Sequence, residues 1–347
     1  SASHNPYEDN GIKFFDNDGL KIDTKIEGEI SKQMGNKPQL VVPSELGRAS
    51  RINDVLGRYT EFAKISIPAS LTLNGMKIVA DCANGAAYKI LPQILSELGA
   101  EVVSFAVNPD GFNINEDCGS TKPEKAQRAV LETGADLGIC LDGDADRVLF
   151  IDEQGLLANG DQILGLLARA WMNKNLLNKN TVVATIMSNL ALELYLAKIG
   201  VSLIRTQVGD KNVSKCMNKE GLNLGGEQSG HLILADYSNA GDGLITSLQV
   251  LNVLVESQKK ASEVFDLFKP FPQSLININA QKCNDFEKNE KIKNMLEDVQ
   301  HSLNGRGRIL IRKSGTEDVV RLMVEHKEKN KLQETIDTCM SILKKKN

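Results

Sequence analysis

The chain has 347 residues, 41% of them apolar and 25% charged, with a net charge of −4. That length divides into two or more domains, each able to bury a core. The acidic balance argues against nucleic acid or anionic membrane as a partner, and no apolar run has membrane-spanning length or signal-peptide form.

The chain opens on Ser1-Ala2-Ser3-His4-Asn5-Pro6 with no methionine before it, and Gly11 and Lys13 follow closely. A small-residue loop with adjacent donors suits a phosphoserine at Ser3, with Lys13 balancing its charge. Residues 76–80 read as a buried strand. Ile90, Leu91, Ile94, Leu95 and Leu98 then recur at helical spacing and stop at Gly99. Residues 101–103 begin another strand. Thr121-Lys122-Pro123-Glu124 has the form of a capping box with an early proline, starting a helix that runs to Gly134. Residues 135–141 are a strand that ends in an acidic loop. This alternation predicts a mostly parallel sheet with functional loops at the strand C-termini. It returns as a strand at 181–186, a helix at 191–199 and a strand at 201–204, which predicts two related α/β units. Two prolines mark a linker at 268–272. Beyond it, strands at 275–278, 309–311 and 319–324 and a helix with Leu332, Ile336, Met340 and Leu343 on one face predict a small α+β domain.

Four loops carry chemistry besides fold. The Ser3 loop is the first. The second is Asp142-Gly143-Asp144-Ala145-Asp146-Arg147, whose alternate carboxylates can close on one hard cation. Without a cation, two unit charges ~4 Å apart repel by about 4 kcal/mol at an effective dielectric near 20. The EF-hand reading fails because Arg147 stands where that loop needs glycine and no helix leads in. A solvated acidic turn is the plain alternative. The third loop is Gly225-Gly226-Glu227-Gln228-Ser229-Gly230-His231, with polar groups for sugar hydroxyls and a histidine for proton transfer. The fourth is Arg312-Lys313-Ser314-Gly315-Thr316-Glu317 with Arg321 beyond, a candidate phosphate cradle. Six scattered cysteines, Cys82, Cys118, Cys140, Cys216, Cys283 and Cys339, contain no C-x-x-C. They read as cytosolic thiols, neither a zinc site nor a disulfide framework.

In this order the four loops resemble those of the α-D-phosphohexomutase superfamily, and within it the bacterial branch acting on glucosamine phosphate. Glu227-Gln228-Ser229-Gly230-His231, the run Asp81-Cys82-Ala83-Asn84-Gly85-Ala86-Ala87 and Gly241-Asp242-Gly243 are similar to that branch, and the similarity covers nearly the whole chain. The resemblance implies consecutive α/β domains, the first incomplete, followed by a small α+β domain. The expected limits are 1–57 for a remnant of the phosphoserine domain, 58–156 with the metal loop, 157–268 with the sugar loop and 269–347 for phosphate binding. It implies Ser3, Lys13 and His231 as catalytic residues. One Mg²⁺ is expected on Asp142, Asp144 and Asp146 with a phosphoserine oxygen of Ser3. Ser1, His4, Arg147, Glu227, Ser229, Arg312, Ser314, Gly315, Thr316 and Arg321 are implied to bind substrate.

The implied reaction interconverts glucosamine 6-phosphate and glucosamine 1-phosphate through a phosphoserine and a bisphosphorylated sugar, in the cytoplasm. A bisphosphorylated hexose or hexosamine would act as activator. The expected partner is a small sugar phosphate, with no nucleic acid or membrane, and the sequence leaves the oligomeric state open. Lys313 and Asp318 replace the usual prolines of the phosphate loop, and Lys211-Asn212 replaces a usual Arg-Tyr. In the family the phosphoserine loop lies deep within the first domain, so Ser3 so near residue 1 predicts a missing front half and little turnover by residues 1–347. The alternatives are a non-catalytic chain that retains metal or sugar-phosphate binding, and a phosphomannomutase or phosphoglucomutase of the same superfamily.

Overall fold

The structure, a computed structural model, describes all residues except 18, 20, 51–53, 284–285, 314–317 and 345–347. They form two compact units, residues 1–187 with 200–267, and residues 188–199 with 268–347.

In the first unit, no strand precedes Lys77 among the described residues. This stretch holds the helices α1 (Thr24–Met34) and α2 (Val55–Ile65). The Asp23 carboxylate starts α1 by accepting the Lys25 amide at 2.7 Å. The first sheet follows the predicted alternation through β1 (Lys77–Asp81), α3 (Ile90–Glu97), β2 (Glu101–Phe105), α4 (Glu124–Thr133) and β3 (Leu137–Leu141). It continues with β4 (Val148–Asp152) and β5 (Leu157–Ala158), in spatial order β2-β1-β3-β4-β5. β1 lies parallel to β2 and β3, whereas β4 and β5 run antiparallel. The mostly parallel expectation is therefore corrected to a mixed sheet. A parallel return needs a crossover of about a dozen residues, and the acidic loop after β3 is too short for one. Every residue of β3 and β4 is buried, which explains the apolar runs at 137–141 and 148–151. The capping box at Thr121 does not form, since α4 begins after Pro123 with no side-chain cap.

A true capping box opens α5 (Gly160–Asn173), where Asn159 and Gln162 satisfy each other's backbone amides. β6 (Thr181–Thr185) follows, and the next helix, α6 (Leu190–Lys198), belongs to the second unit. The first unit resumes with β7 (Ser202–Thr206), α7 (Asp210–Glu220), β8 (Leu224–Gly226) and β9 (Leu232–Leu234). The second sheet has the order β7-β6-β8-β9, parallel except at β9. Val213 and Met217 of α7 pack with Val183, Leu222 and Ile233 as its core. The largely buried α8 (Gly243–Ser257) and the short α9 (Ala261–Phe265) complete this unit.

The second unit adds β10 (Gln273–Asn279), α10 (Glu290–Ser302), β11 (Gly307–Lys313), β12 (Val319–His326) and α11 (Lys329–Leu343). Its three strands run antiparallel in the order β10-β12-β11. Leu332, Ile336 and Leu343, the face predicted for the last helix, pack on Val320, Leu322 and Val324. Among the described residues no helix is long and apolar enough to cross a membrane.

Candidate active site

The acidic loop is shaped by its first member. Buried Asp142 accepts the Arg147 amide on Oδ1 at 3.0 Å, and its carbonyl accepts the Ala145 amide at 3.0 Å. These bonds reverse the chain between β3 and β4 and bring the carboxylates together. One oxygen from each of Asp142, Asp144 and Asp146 lies within 4.8 Å of the other two. Among the described residues, Asp142 Oδ2 and Asp144 Oδ1 are buried without a hydrogen-bond partner, and Asp146 Oδ1 is buried with no more than the long approach of His231 Nδ1. Burial together with the charges of Asp146 and Asp144 holds the Asp142 carboxyl well above the usual carboxylate range. This is a hard, oxygen-only donor set with spare lone pairs, and it fits Mg²⁺.

Lys13 reaches this loop from the far end of the sequence. Its ammonium bonds Asp144 Oδ2 and lies 3.0 Å from Asp146 Oδ2. Burial works against the Lys13 charge, but Asp144 and Asp146 outweigh it and raise its pKa.

His231 is buried between two carboxylates. Its Nδ1 faces Asp146 Oδ1 at 3.4 Å, and its Nε2 lies 3.7 Å from Asp210 Oδ2. Asp210 also bonds Lys21. Burial opposes ionisation of Asp210, yet Lys21 and His231 hold its pKa below the ordinary value. Gly241 closes the other side of the imidazole, since a Cβ there would run into the ring. The next residue, Asp242, caps α8 by accepting the Leu244 and Ile245 amides at 3.0 and 2.9 Å. Its second oxygen accepts the Tyr59 hydroxyl at 2.7 Å. Gly243 then donates its amide to Ala145 O of the acidic loop at 2.8 Å. The turn 241–243 thus seats the imidazole and the acidic loop together. Tyr59→Phe leaves the second oxygen of half-buried Asp242 without this donor, so unfolding free energy is expected to fall by about 1–2 kcal/mol. A denaturant midpoint equal to the parent's would contradict that assignment.

The Ser3 turn docks on the same loop. Ser3 has φ 55°, an uncommon conformation for a residue with a side chain. Its carbonyl accepts the Gly143 amide at 3.0 Å and the Asn115 side-chain amide at 2.8 Å. A Cβ on Gly143 would meet Ser3 O at 2.5 Å, so the approach requires glycine. Ser1 Oγ accepts the Ser3 amide at 2.9 Å, and Ser3 Oγ lies 3.4 Å from His4 Nδ1. Burial and then Arg147 push the His4 pKa down. A cavity of about 440 Å³ is lined by Ser1, Lys13, Asp144, Asp146, Asp210 and His231.

Other expected residues lie around or apart from this cavity. Arg147 pairs with His231 through an isolated antiparallel bridge. Glu227 Oε1 accepts the Gly209 amide at 2.9 Å, and Ser229 is exposed. Lys211, one departure from the family pattern, reaches Ile22 O at 3.1 Å and Glu27 at 3.4 Å. In the second unit, Arg312 and Arg321 stand directly opposite each other on β11 and β12. Like charges so placed repel, an arrangement suited to an anion. Ser314, Gly315 and Thr316 lie outside the described residues. Sequence reasoning missed Asn115, Tyr59 and Asp210 as site residues. For Asn115 the available signal was its place in the loop after a parallel strand; for Tyr59 there was none.

Family models for phosphoglucomutase/phosphomannomutase match four successive stretches. These are alpha/beta/alpha domain I at 1–40, domain II at 58–155, domain III at 159–271 and the C-terminal domain at 275–340. A phosphoglucosamine mutase from Zymomonas mobilis is 50% identical over 337 residues, covering 97% of this chain and 76% of that protein. A phosphoglucomutase/phosphomannomutase family protein from Burkholderia thailandensis shares the fold with a TM-score of 0.77 at 22% identity, over 99% of this chain and 74% of that one. N-acetylphosphoglucosamine mutase from Aspergillus fumigatus, solved with GlcNAc-6P and magnesium, shares it with a TM-score of 0.76 at 19% identity, over 99% and 87%. With the family models spanning most of its length, the chain belongs to the phosphoglucomutase/phosphomannomutase family.

Proposed function

We propose that this protein is a phosphoglucosamine mutase that interconverts glucosamine 6-phosphate and glucosamine 1-phosphate. The observation that carries the reading is the docking of the Ser3 turn onto Gly143, inside the loop of three carboxylates that also meets Lys13 and His231. The 50% identity to the Zymomonas mobilis enzyme supports the choice of an amino sugar.

Phosphorylated Ser3 donates its phosphoryl group to a sugar hydroxyl. The new P–O bond forms as the bond to Ser3 Oγ breaks; Ser3 Oγ takes up a proton from a side-chain acid, and the hydroxyl proton passes to a side-chain base. His231 is suited to accept that proton: with a hydrogen on Nδ1 toward Asp146, its Nε2 is an acceptor. Lys13, beside Asp144 and Asp146, is the candidate acid; its raised pKa keeps it charged until the transfer, and the return transfer restores both protons to where they began. Mg²⁺, when bound by Asp142, Asp144 and Asp146, supplies positive charge that offsets the charge of the transferring group. Glu227 and Ser229 hold sugar hydroxyls, Ser1, His4 and Arg147 flank the reacting group, and Arg312 and Arg321 hold the phosphate that is not transferred. Transfer of the second phosphoryl group back to Ser3 completes the cycle, and a bisphosphorylated sugar reloads the serine when it is lost. The proposed domain limits are those expected from the sequence, and a soluble sugar-phosphate substrate places the reaction in the cytoplasm.

The test measures product formation from glucosamine, glucose and mannose 6-phosphates with Mg²⁺ and a sugar bisphosphate. We expect kcat/KM for the amino sugar to exceed the others by about tenfold or more, which corresponds to about 1.4 kcal/mol. Preference for glucose or mannose phosphate would reassign the chain within its family, and no turnover of any of the three would favour a binding role.

A further inference from the structure

We propose that Asn115 is a positioning residue for the phosphoryl-carrying serine, a role that rests on the assignment of Ser3 as that carrier. Asn115 lies in the loop between β2 and α4, with φ 58° and 9% exposure. Its own amide donates to Ala83 O at 2.9 Å, tying it to the end of the first sheet. Its side-chain nitrogen donates to two carbonyls, Ser3 O and Asn5 O, both at 2.8 Å. These carbonyls flank His4, so a single –NH₂ group clamps both ends of the turn that presents Ser3 Oγ.

The chemistry selects asparagine. A primary amide has two hydrogens on one nitrogen, one for each carbonyl. Turned over, its oxygen would face two other oxygens. Aspartate has the same shape but offers only acceptors, and glutamine is one methylene longer. Asparagine also tolerates the left-handed backbone better than most residues. The far end of the amide, Oδ1, is buried with no hydrogen-bond partner among the described residues. A residue kept for packing alone would avoid that loss, so the two donations account for its presence. With the Gly143 amide on the same Ser3 carbonyl, the serine turn is fixed both to the acidic loop and to the sheet beneath it. Asn115 therefore sets how far Ser3 Oγ stands from the three carboxylates without touching the reacting atoms.

A displacement near 1 Å of a reacting group costs roughly a hundredfold in rate. The experiment compares Asn115→Gly, which suits the positive φ and lacks the donors, with Asn115→Asp, which keeps the shape but cannot donate. Turnover is normalised to the native fraction measured by near-ultraviolet circular dichroism. Phosphorylation of Ser3 by a sugar bisphosphate is followed separately by intact mass. We expect kcat and the phosphorylation rate to fall by about tenfold to a hundredfold in both variants, with KM for the sugar phosphate within about threefold of the parent. Parent-like kcat and phosphorylation in either folded variant would overturn the role, as would a loss confined to KM. Turnover retained by Ser3→Ala would instead overturn the underlying assignment of the carrier, so the two failures are distinguishable.

Discussion

Ser3→Ala is expected to abolish turnover, with a loss of about a thousandfold or more, because the alanine variant has no oxygen to carry the phosphoryl group. The fold should hardly change. The Ser3 hydroxyl lies 3.4 Å from His4 Nδ1, whereas its backbone makes the anchoring bonds to Ser1, Gly143 and Asn115. Those bonds survive the substitution, so stability should stay within about 0.5 kcal/mol of the parent. Intact mass after incubation with a sugar bisphosphate should show a phosphoryl adduct on the parent and none on the variant. A variant that still forms glucosamine 1-phosphate would place the nucleophile elsewhere.

Asp142→Asn should divide activity from stability. Asparagine keeps the oxygen that accepts the Arg147 amide and replaces a carboxyl whose ionisation burial and two neighbouring carboxylates oppose. Turnover should fall by at least about a hundredfold, since the loop loses a carboxylate that offsets a divalent cation. In chelator the variant should be more stable than the parent by on the order of 1 kcal/mol, because it no longer carries a carboxyl that ionises freely only when the chain unfolds. The pH dependence follows from the same cause. Burial, Asp146 and Asp144 raise the Asp142 pKa above its ordinary 3.8, so just above that pH the folded state binds more protons than the unfolded one. Its contribution to stability therefore declines as pH rises through this window. Asp146 runs the other way. Burial opposes its charge, but His231 and Lys13 outweigh burial and lower its pKa, so its contribution is lost only as pH falls below 3.8. Chelated parent protein should show the decline above pH 4, the variant should lack it, and Mg²⁺ should stabilise the parent far more than the variant. Equal Mg²⁺-induced shifts of Tm in both proteins would remove Asp142 from the metal set.

Much of the site was legible as short motifs. Alternate aspartates after a buried apolar run announced a loop of converging oxygen donors. His231 stood out as a titratable group in a glycine-rich loop, and Ser3 as a hydroxyl beside small and polar neighbours. Periodicity also located most of the strands, but of the eleven α-helices among the described residues only α3, α4, α6 and α11. It missed the antiparallel reversal at β4, because a buried strand reads alike in either direction. It also misread Thr121, because a capping pattern says nothing about whether tertiary packing leaves the hydroxyl free to turn back on the helix. Asn115, Asp210 and Tyr59 carried no motif, since their partners lie far away along the chain.

The sequence by itself determined the chemical types: three hard oxygen donors in one loop, a hydroxyl among small residues, an imidazole and two arginines flanking a glycine-containing loop. It also determined the α/β alternation, because strand and helix periods depend on neighbours within a few residues. Only the tertiary structure decided that Asn115 grips the Ser3 turn across 112 positions, that Tyr59 meets Asp242 across 183, and that His231 stands between Asp146 and Asp210. These meetings depend on how sheets, helix ends and glycine contacts pack together. Packing is a property of the whole fold, whereas spacing along the chain records only what happens within a turn or a strand.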